Sequence, residues 1–183
     1  FQAGPDDGFL NPDMMKTINQ KMLDGLSMKA ALSVRRRMNL NLHDEYADPC
    51  QRLFNALEPG SYVRPHRHVD PPKAECVMAV RGRMALLVFD DHGRIAVSVL
   101  FGAGCEVVAI ELPSGIWHML VALEPGSIFF ETKPGPYLPQ SDKDFAPWSP
   151  DEGSIESVSY LATLMAKVSQ AWGKGRPAAR NPW

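Results

Sequence analysis

The ordered run Gly60-Ser-Tyr-Val-Arg-Pro-His66-Arg-His68, then Glu75 and Gly82, then Pro113-Ser-Gly115-Ile-Trp-His118, constrains this chain more than any other feature. It draws four potential metal ligands from two separate strand-and-turn units. Side chains on a strand alternate between faces, so His66 and His68, two residues apart, point to the same side. Pro113 and Gly115 favour a tight turn, which returns His118 to the same interior. Glu75 adds a hard anionic oxygen to three borderline imidazole nitrogens, a set suited to Fe(II), Mn(II), Ni(II), Co(II) or Zn(II). Strands that bring these groups together must curve around a common lumen, which predicts a small β-barrel.

The surrounding texture agrees. Short β-type runs punctuated by Gly, Pro and Asp occupy Arg52 to Leu57, Ser61 to His68, Glu75 to Val80, Met84 to Phe89, Ile95 to Leu100, Val107 to Glu111, His118 to Leu123 and Ser127 to Thr132. Closely spaced strands of this kind predict a mainly β fold, a sandwich or barrel of jelly-roll type. Asp90-Asp91-His92-Gly93 reads as a hairpin turn with His92 in solvent. Asn11-Pro12-Asp13 has the order of a helix start, and Met15, Ile18, Met22 and Leu26 form a stripe continuing towards Ala30 and Leu32. Ile155, Val158, Ala162, Met165, Val168 and Trp172 repeat at helical spacing near the other end, with Gly173, Gly175 and Pro177 as stop signals. Between them, Lys-Pro-Gly-Pro-Tyr-Leu-Pro and Asp-Phe-Ala-Pro-Trp-Ser-Pro cannot sustain a helix or central strand and should wrap over the barrel. The chain therefore divides into an N-terminal helical segment (1–34), a barrel with a proline-rich wrap (35–150), and a C-terminal helix with a loose tail (151–183).

Composition excludes several function classes. A net charge of -2 leaves no basic footprint for nucleic acid. The longest apolar run, Met84 to Phe89, is far short of the roughly 20 residues a membrane helix needs. Cys50, Cys76 and Cys105 are odd in number and lack CxxC spacing, which favours a reducing cytoplasm over a disulfide framework. No secretory leader is expected, and the opening Phe1-Gln2 reads as the remnant of a cleavable tag. Met84 to Phe89 is apolar on both faces, whereas a lumen buries only one. The other face must meet a second sheet, a helix or a partner, and a homodimer is expected.

The two histidine-bearing segments resemble the paired motifs of the cupin superfamily, G-x5-H-x-H-x3-4-E-x6-G and G-x5-P-x-G-x2-H-x3-N. The resemblance implies a cupin-type jelly-roll barrel with flanking N- and C-terminal helices, binding a divalent transition metal through His66, His68, Glu75 and His118. Two departures stand out. Six residues separate His68 from Glu75 instead of three or four, and Val107 and Ala122 occupy the leading Gly and terminal Asn of the second motif. Glu75 is thus either a ligand, an acceptor behind the ligands, or a salt-bridge partner of Arg64 or Arg83. A narrower resemblance lies in the flanks: Arg37-Met-Asn-Leu-Asn-Leu-His43, Gln51 to Gly60, Leu123-Glu-Pro-Gly126, Glu131-Thr-Lys-Pro-Gly-Pro-Tyr137 and Asp144-Phe-Ala-Pro-Trp148. Over about residues 35–150 the chain is similar to the WbuC family of cupin-fold metalloproteins. That implies a bacterial cytoplasmic metalloprotein, some members being encoded near surface-polysaccharide (O-antigen) genes.

Other polar residues fall into place around the motifs. Arg64 and Lys73 flank the ligands and are candidates to hold an anionic substrate group, while Arg67 alternates away from the histidine face. Glu131 and Tyr137 bracket the start of the proline-rich segment and are candidates for general base and hydrogen-bond donor. Trp117 reads as packing and His43 as a satisfied structural histidine. Three functions are open: a metalloenzyme acting on a small substrate as dioxygenase, isomerase or lyase; a non-catalytic sugar or metabolite binder; and a metal-free assembly surface. Three lumen histidines argue against the last, because unpaired buried imidazoles are costly.

Overall fold

The computed structural model describes residues 15–173. Helix α1 (Gln20–Leu32) leads into ten strands: β1 (Arg37–Asn41), β2 (Cys50–Leu57), β3 (His66–Arg67), β4 (Glu75–Arg81), β5 (Arg83–Phe89), β6 (Ile95–Gly102), β7 (Ala109–Leu112), β8 (His118–Ala122), β9 (Ser127–Pro134) and β10 (Asp144–Phe145). Helix α2 (Ile155–Gly173) follows. The strands form two five-stranded sheets in the orders β1-β2-β9-β4-β7 and β10-β3-β8-β5-β6, with antiparallel neighbours throughout. From β2 to β5 and again from β6 to β9 the chain changes sheet at every connection. That is the jelly-roll arrangement, and it is why residues from distant strands meet in one lumen.

Alternation along each strand sorts side chains into three apolar layers. Leu57, Val77, Met84, Leu86, Phe101, Leu120 and Phe129 fill the space between the sheets. Ala85, Leu87, Phe89, Met119 and Val121 point the other way and are covered by Leu161, Leu164 and Val168 of α2. Ala56 and Ile128, on the outer face of the first sheet, are covered by Leu23, Leu26 and Ala30 of α1. The order is helix, sheet, sheet, helix. The outer face of β5, on which the expectation of a homodimer rested, is thus met by α2.

Both helices depart from the sequence reading. The Asn11-Pro12-Asp13 start lies outside the described residues, and residues 15–19 are not helical. Asn19 is the N-cap, its side chain accepting the Met22 N–H at 3.0 Å. Met15, Met22 and Leu32 are exposed, and the inward stripe is Leu23, Leu26 and Ala30. In α2 the apolar repeat is likewise displaced: Ile155 and Val158 are 83% and 71% exposed, whereas Ser157, Leu161, Leu164 and Val168 face inward. Periodicity located each helix, but the outer sheet faces selected which stripe is buried. The tail from residue 174 lies outside the described residues.

Local turns match their residues. Asp90 accepts the backbone N–H of His92 and of Arg94, each at 2.9 Å, which fixes the β5–β6 hairpin and leaves His92 exposed. The run expected over Ser61 to His68 is a ladder only at β3, because Pro65 lacks a donor. Trp117 is buried against Trp148, its Nε1–H donates to Asp91 at 3.1 Å, and Arg67 lies over its ring at 4.0 Å. Trp117→Ala should therefore cost roughly 3–5 kcal/mol in chemical unfolding.

Glu152 joins the start of the barrel to the approach to α2 by bonding Arg35 at 2.6 Å and Arg37 at 2.5 Å. Burial works against its charge, but the two guanidiniums outweigh that and hold the carboxyl below its ordinary value. A carboxyl depressed in the folded state contributes stability above its unfolded pKa, and that contribution is lost as pH falls through the folded one. Glu152→Gln should lower stability at pH 7 by about 1 kcal/mol or less, since the pair is solvent-screened. The deficit should shrink progressively in unfolding curves recorded at pH values falling below about 4.5.

Candidate metal centre

Three strands and one turn position the four donors. His66 of β3 pairs directly with His118 of β8, which puts both imidazoles on the lumen face of one sheet. Glu75 opens β4 in the facing sheet. His68 follows β3, and its carbonyl accepts the Gly115 N–H at 3.0 Å. Gly115 has φ of 80°, a backbone shape that glycine adopts without strain, so this turn ties the second histidine segment to the first. The long His68-to-Glu75 spacing is absorbed by an exposed excursion at residues 69–72, closed by a Val69–Pro72 bridge. It does not displace the carboxylate.

All four groups are buried, and their ligand atoms lie within 4.8 Å of one another. Each imidazole is oriented by a main-chain carbonyl. His66 Nδ1 donates to Arg64 O at 3.0 Å, His118 Nδ1 donates to Ile116 O at 2.8 Å, and His68 Nδ1 donates to Asp142 O. A carbonyl can only accept, so these bonds select the tautomer that leaves Nε2 as a lone pair. His68 Nε2 lies 3.0 Å from Glu75 Oε1, and His118 Nε2 lies 3.0 Å from Glu75 Oε2. His68 Nε2 has no hydrogen-bond partner although it is buried. Burial holds His66 well below its usual pKa, so it is neutral. Burial works against the Glu75 charge, but the Lys133 ammonium, 3.0 Å from Oε1, favours it and keeps Glu75 a carboxylate. The result is three nitrogen lone pairs and a carboxylate, acceptor facing acceptor, around one buried point. A divalent transition metal fits that donor set.

Behind the cluster lies a cation that sequence reasoning missed. Lys133 Nζ sits 3.0 Å from Glu75, 3.1 Å from Glu131 and 3.2 Å from Asp142. Those carboxylates raise its pKa in spite of burial. The signal was available, because Lys133 is two residues from Glu131 on β9 and must share its face. Glu75 therefore has Lys133 as its cationic partner, not Arg64 or Arg83.

Glu131 and Tyr137 line the same cavity, of about 560 Å³, as His66, Glu75 and His118. Asn55 donates to Glu131 at 2.9 Å, and the Tyr137 ring packs edge-on against Tyr46 at 5.0 Å. Burial and then the Asp142 charge raise the Tyr137 pKa, so its hydroxyl keeps its proton. The two residues assigned to substrate binding are placed elsewhere. Arg64 bonds Ser149 Oγ at 3.2 Å, the carbonyls of Ala146 and Ser149, and Asp151, because Pro65 breaks the alternation that would aim it inward. Lys73 is buried and spans Asp142 Oδ1 and Pro136 O, each at 2.6 Å. Both are engaged by the proline-rich wrap, and neither lines the cavity. His43 also lines the cavity, but outside the four-donor cluster, with Nδ1 accepting the Arg52 N–H at 3.0 Å.

The strand order and the placement of the two histidine segments define a cupin-type jelly-roll barrel. Residues 18–101 match the family model described as Domain of unknown function (DUF6016). Among solved structures the chain is similar to KdgF from Halomonas sp., with 18% identity, coverage of 57% of this chain and 82% of that one, and TM-score 0.43. It is similar to a sugar phosphate isomerase from a cupin superfamily of Silicibacter pomeroyi, with 22% identity, 54% and 59% coverage, and TM-score 0.42. Oxalate oxidase in complex with the substrate analogue glycolate gives 14% identity, 94% and 84% coverage, and TM-score 0.49. No curated protein matches the chain.

Asp142 offers a direct check on this geometry. Its carboxylate is the counter-ion of Lys73 and Lys133, while its backbone carbonyl holds His68. Asp142→Asn should cost roughly 3–5 kcal/mol, the usual effect of removing one partner from a buried ion pair. A loss under about 1 kcal/mol in thermal unfolding would show that the two lysines do not depend on it.

Proposed function

We propose that this chain is a metalloprotein in which His66, His68, Glu75 and His118 hold one divalent transition metal, drawn from Fe, Mn, Ni, Co and Zn. The observation that carries the reading is the convergence of three imidazoles and the Glu75 carboxylate in a buried space, with the Nε2 atoms of His68 and His118 each 3.0 Å from that carboxylate. Acceptors held against one another away from water repel, and a cation between them turns that cost into bonding. Among the described residues, Lys133 reaches only one side of this carboxylate.

The proposed activity is conversion of a small molecule in the adjoining cavity, as a dioxygenase, isomerase or lyase. A cavity of about 560 Å³ suits a metabolite and not a polymer. When bound, the metal supplies Lewis acidity to an oxygen of the ligand. Glu131, fixed by Asn55 and Lys133, presents a carboxylate oxygen that can take a proton from the ligand. Tyr137 keeps its hydroxyl proton and can donate a hydrogen bond to a developing charge. The flanking sequence supports membership of the WbuC family, and with it a sugar or nucleotide-sugar ligand linked to surface-polysaccharide synthesis. Three unpaired cysteines support a cytoplasmic setting.

Elemental analysis of anaerobically purified protein should find one transition metal per chain. His68→Ala should lower metal affinity at least ~10-fold while the apo barrel still folds. His43→Ala should keep full occupancy. Metal-free wild-type protein after purification and reconstitution would reject the reading. Full occupancy with no turnover of any sugar, nucleotide sugar or small acid that binds would leave a binder in place of an enzyme.

A further inference from the structure

We infer that the ligand of this cavity carries a small oxyanion and that Lys143 is the residue that takes its negative group. The inference deepens the metal reading above, and it rests on how the charges around the cavity are partnered.

Of the cations lining the cavity, Lys133 is shared by three carboxylates. Arg37 is committed to Glu152 and to the Tyr62 carbonyl at 2.9 Å, and Arg35 is committed to Glu152. Lys143 lines the same cavity and makes no hydrogen bond or ion pair among the described residues. Its position explains this. Asp144 and Phe145 of β10 pair with Arg67 and His66, and Asp144 turns outward to bond Arg67 at 2.7 Å. Lys143 is one residue before Asp144 and so takes the opposite face, towards the lumen. Burial and then the Lys133 charge push its pKa down, against the opposing charges of Glu131 and Glu75.

The charges of the whole group point the same way. The carboxylates of Glu75, Glu131 and Asp142 are matched by the ammoniums of Lys73, Lys133 and Lys143, so the side chains are neutral together before a metal is added. A divalent ion then leaves two uncompensated positive charges in a site screened from water, where unpaired charge is expensive. A ligand with one oxygen at the metal and an oxyanion at Lys143 satisfies both. A neutral sugar satisfies neither. The chemistry shared by acids and phosphate esters is the oxyanion, and the choice between them is left to the probes.

The test is calorimetric titration of the metal-loaded full chain with malonate, inorganic phosphate and glucose, repeated with Lys143→Met and Lys143→Arg, with metal content measured on every sample. Malonate or phosphate should bind and glucose should not. Lys143→Met should weaken the oxyanion at least ~10-fold, the scale of losing one charged contact, and Lys143→Arg should stay within a few-fold of wild type. All three proteins should keep the same metal content. Preference for malonate assigns a carboxylate ligand, and preference for phosphate assigns a phosphate ester. Unchanged oxyanion binding in Lys143→Met, binding of glucose as tight as the anions, or binding of neither anion overturns the proposal. If no sample holds metal, the metal reading fails by itself. The same titrations on metal-free protein then decide Lys143 alone, with a tenfold loss in Lys143→Met upholding it and no loss rejecting it.

Discussion

Every feature of the centre depends on three hydrogen bonds in which an imidazole Nδ1–H is given to a main-chain carbonyl. For His66 and His118 the acceptor lies two residues upstream on the same segment, so their orientation is set locally, by the shape of the chain entering β3 and β8. For His68 the acceptor is Asp142, 74 residues away in the proline-rich wrap. Two of the imidazoles are therefore aimed by their own strands, whereas the third waits for the wrap to dock. This makes the wrap a structural part of the site. It also explains the two lysines buried beside it, because Asp142 can be held next to His68 only if its carboxylate is neutralised by Lys73 and Lys133.

The four-layer packing serves the same end. A two-sheet barrel has inner and outer apolar faces, and only the inner one is buried by closing the sheets. Here α1 and α2 cover the outer faces separately, so the sheet carrying His66 and His118 is braced from behind by α2 and the sheet carrying Glu75, Glu131 and Lys133 by α1. Bracing both sheets matters because the donor set straddles the gap between them. A shift of one sheet against the other would separate Glu75 from the histidines.

The barrel, its hairpin and the four clustered donors could be read from residue order, because alternation on a strand and glycine at a positive φ are local rules. Gly115 and the Asp90 turn illustrate this. What escaped were contacts whose terms are set at long range. Arg64 sits two residues before His66 and by alternation alone would face the lumen, but Pro65 interrupts the ladder and the wrap at residues 146–151 captures the guanidinium. Lys73 flanks the ligands in sequence, but Asp142, far along the chain, claims it. The helix stripes failed for the same reason. Met22 and Val158 fit a helical period, yet which face is buried depends on the sheet opposite. Lys133 differs, since its spacing from Glu131 was a local signal that went unused.

The cavity is lined by apolar residues, Leu53, Leu57, Val63, Leu120 and Phe129, interleaved with Asn55, Glu131, Lys133, Tyr137 and Lys143 and with three of the four donors. Polar groups in such a cavity exert their full strength because little water competes with them. Glu131 and Lys133 already satisfy each other at 3.1 Å, and Asn55 already donates to Glu131, so these groups act on a ligand only by exchanging or sharing an existing bond. Tyr137 and Lys143 make no side-chain hydrogen bond among the described residues. New bonds in this cavity are therefore available chiefly at the two residues that hold none. Specificity in this site is then a property of the proline-rich wrap as much as of the barrel, since Tyr137 and Lys143 both belong to it.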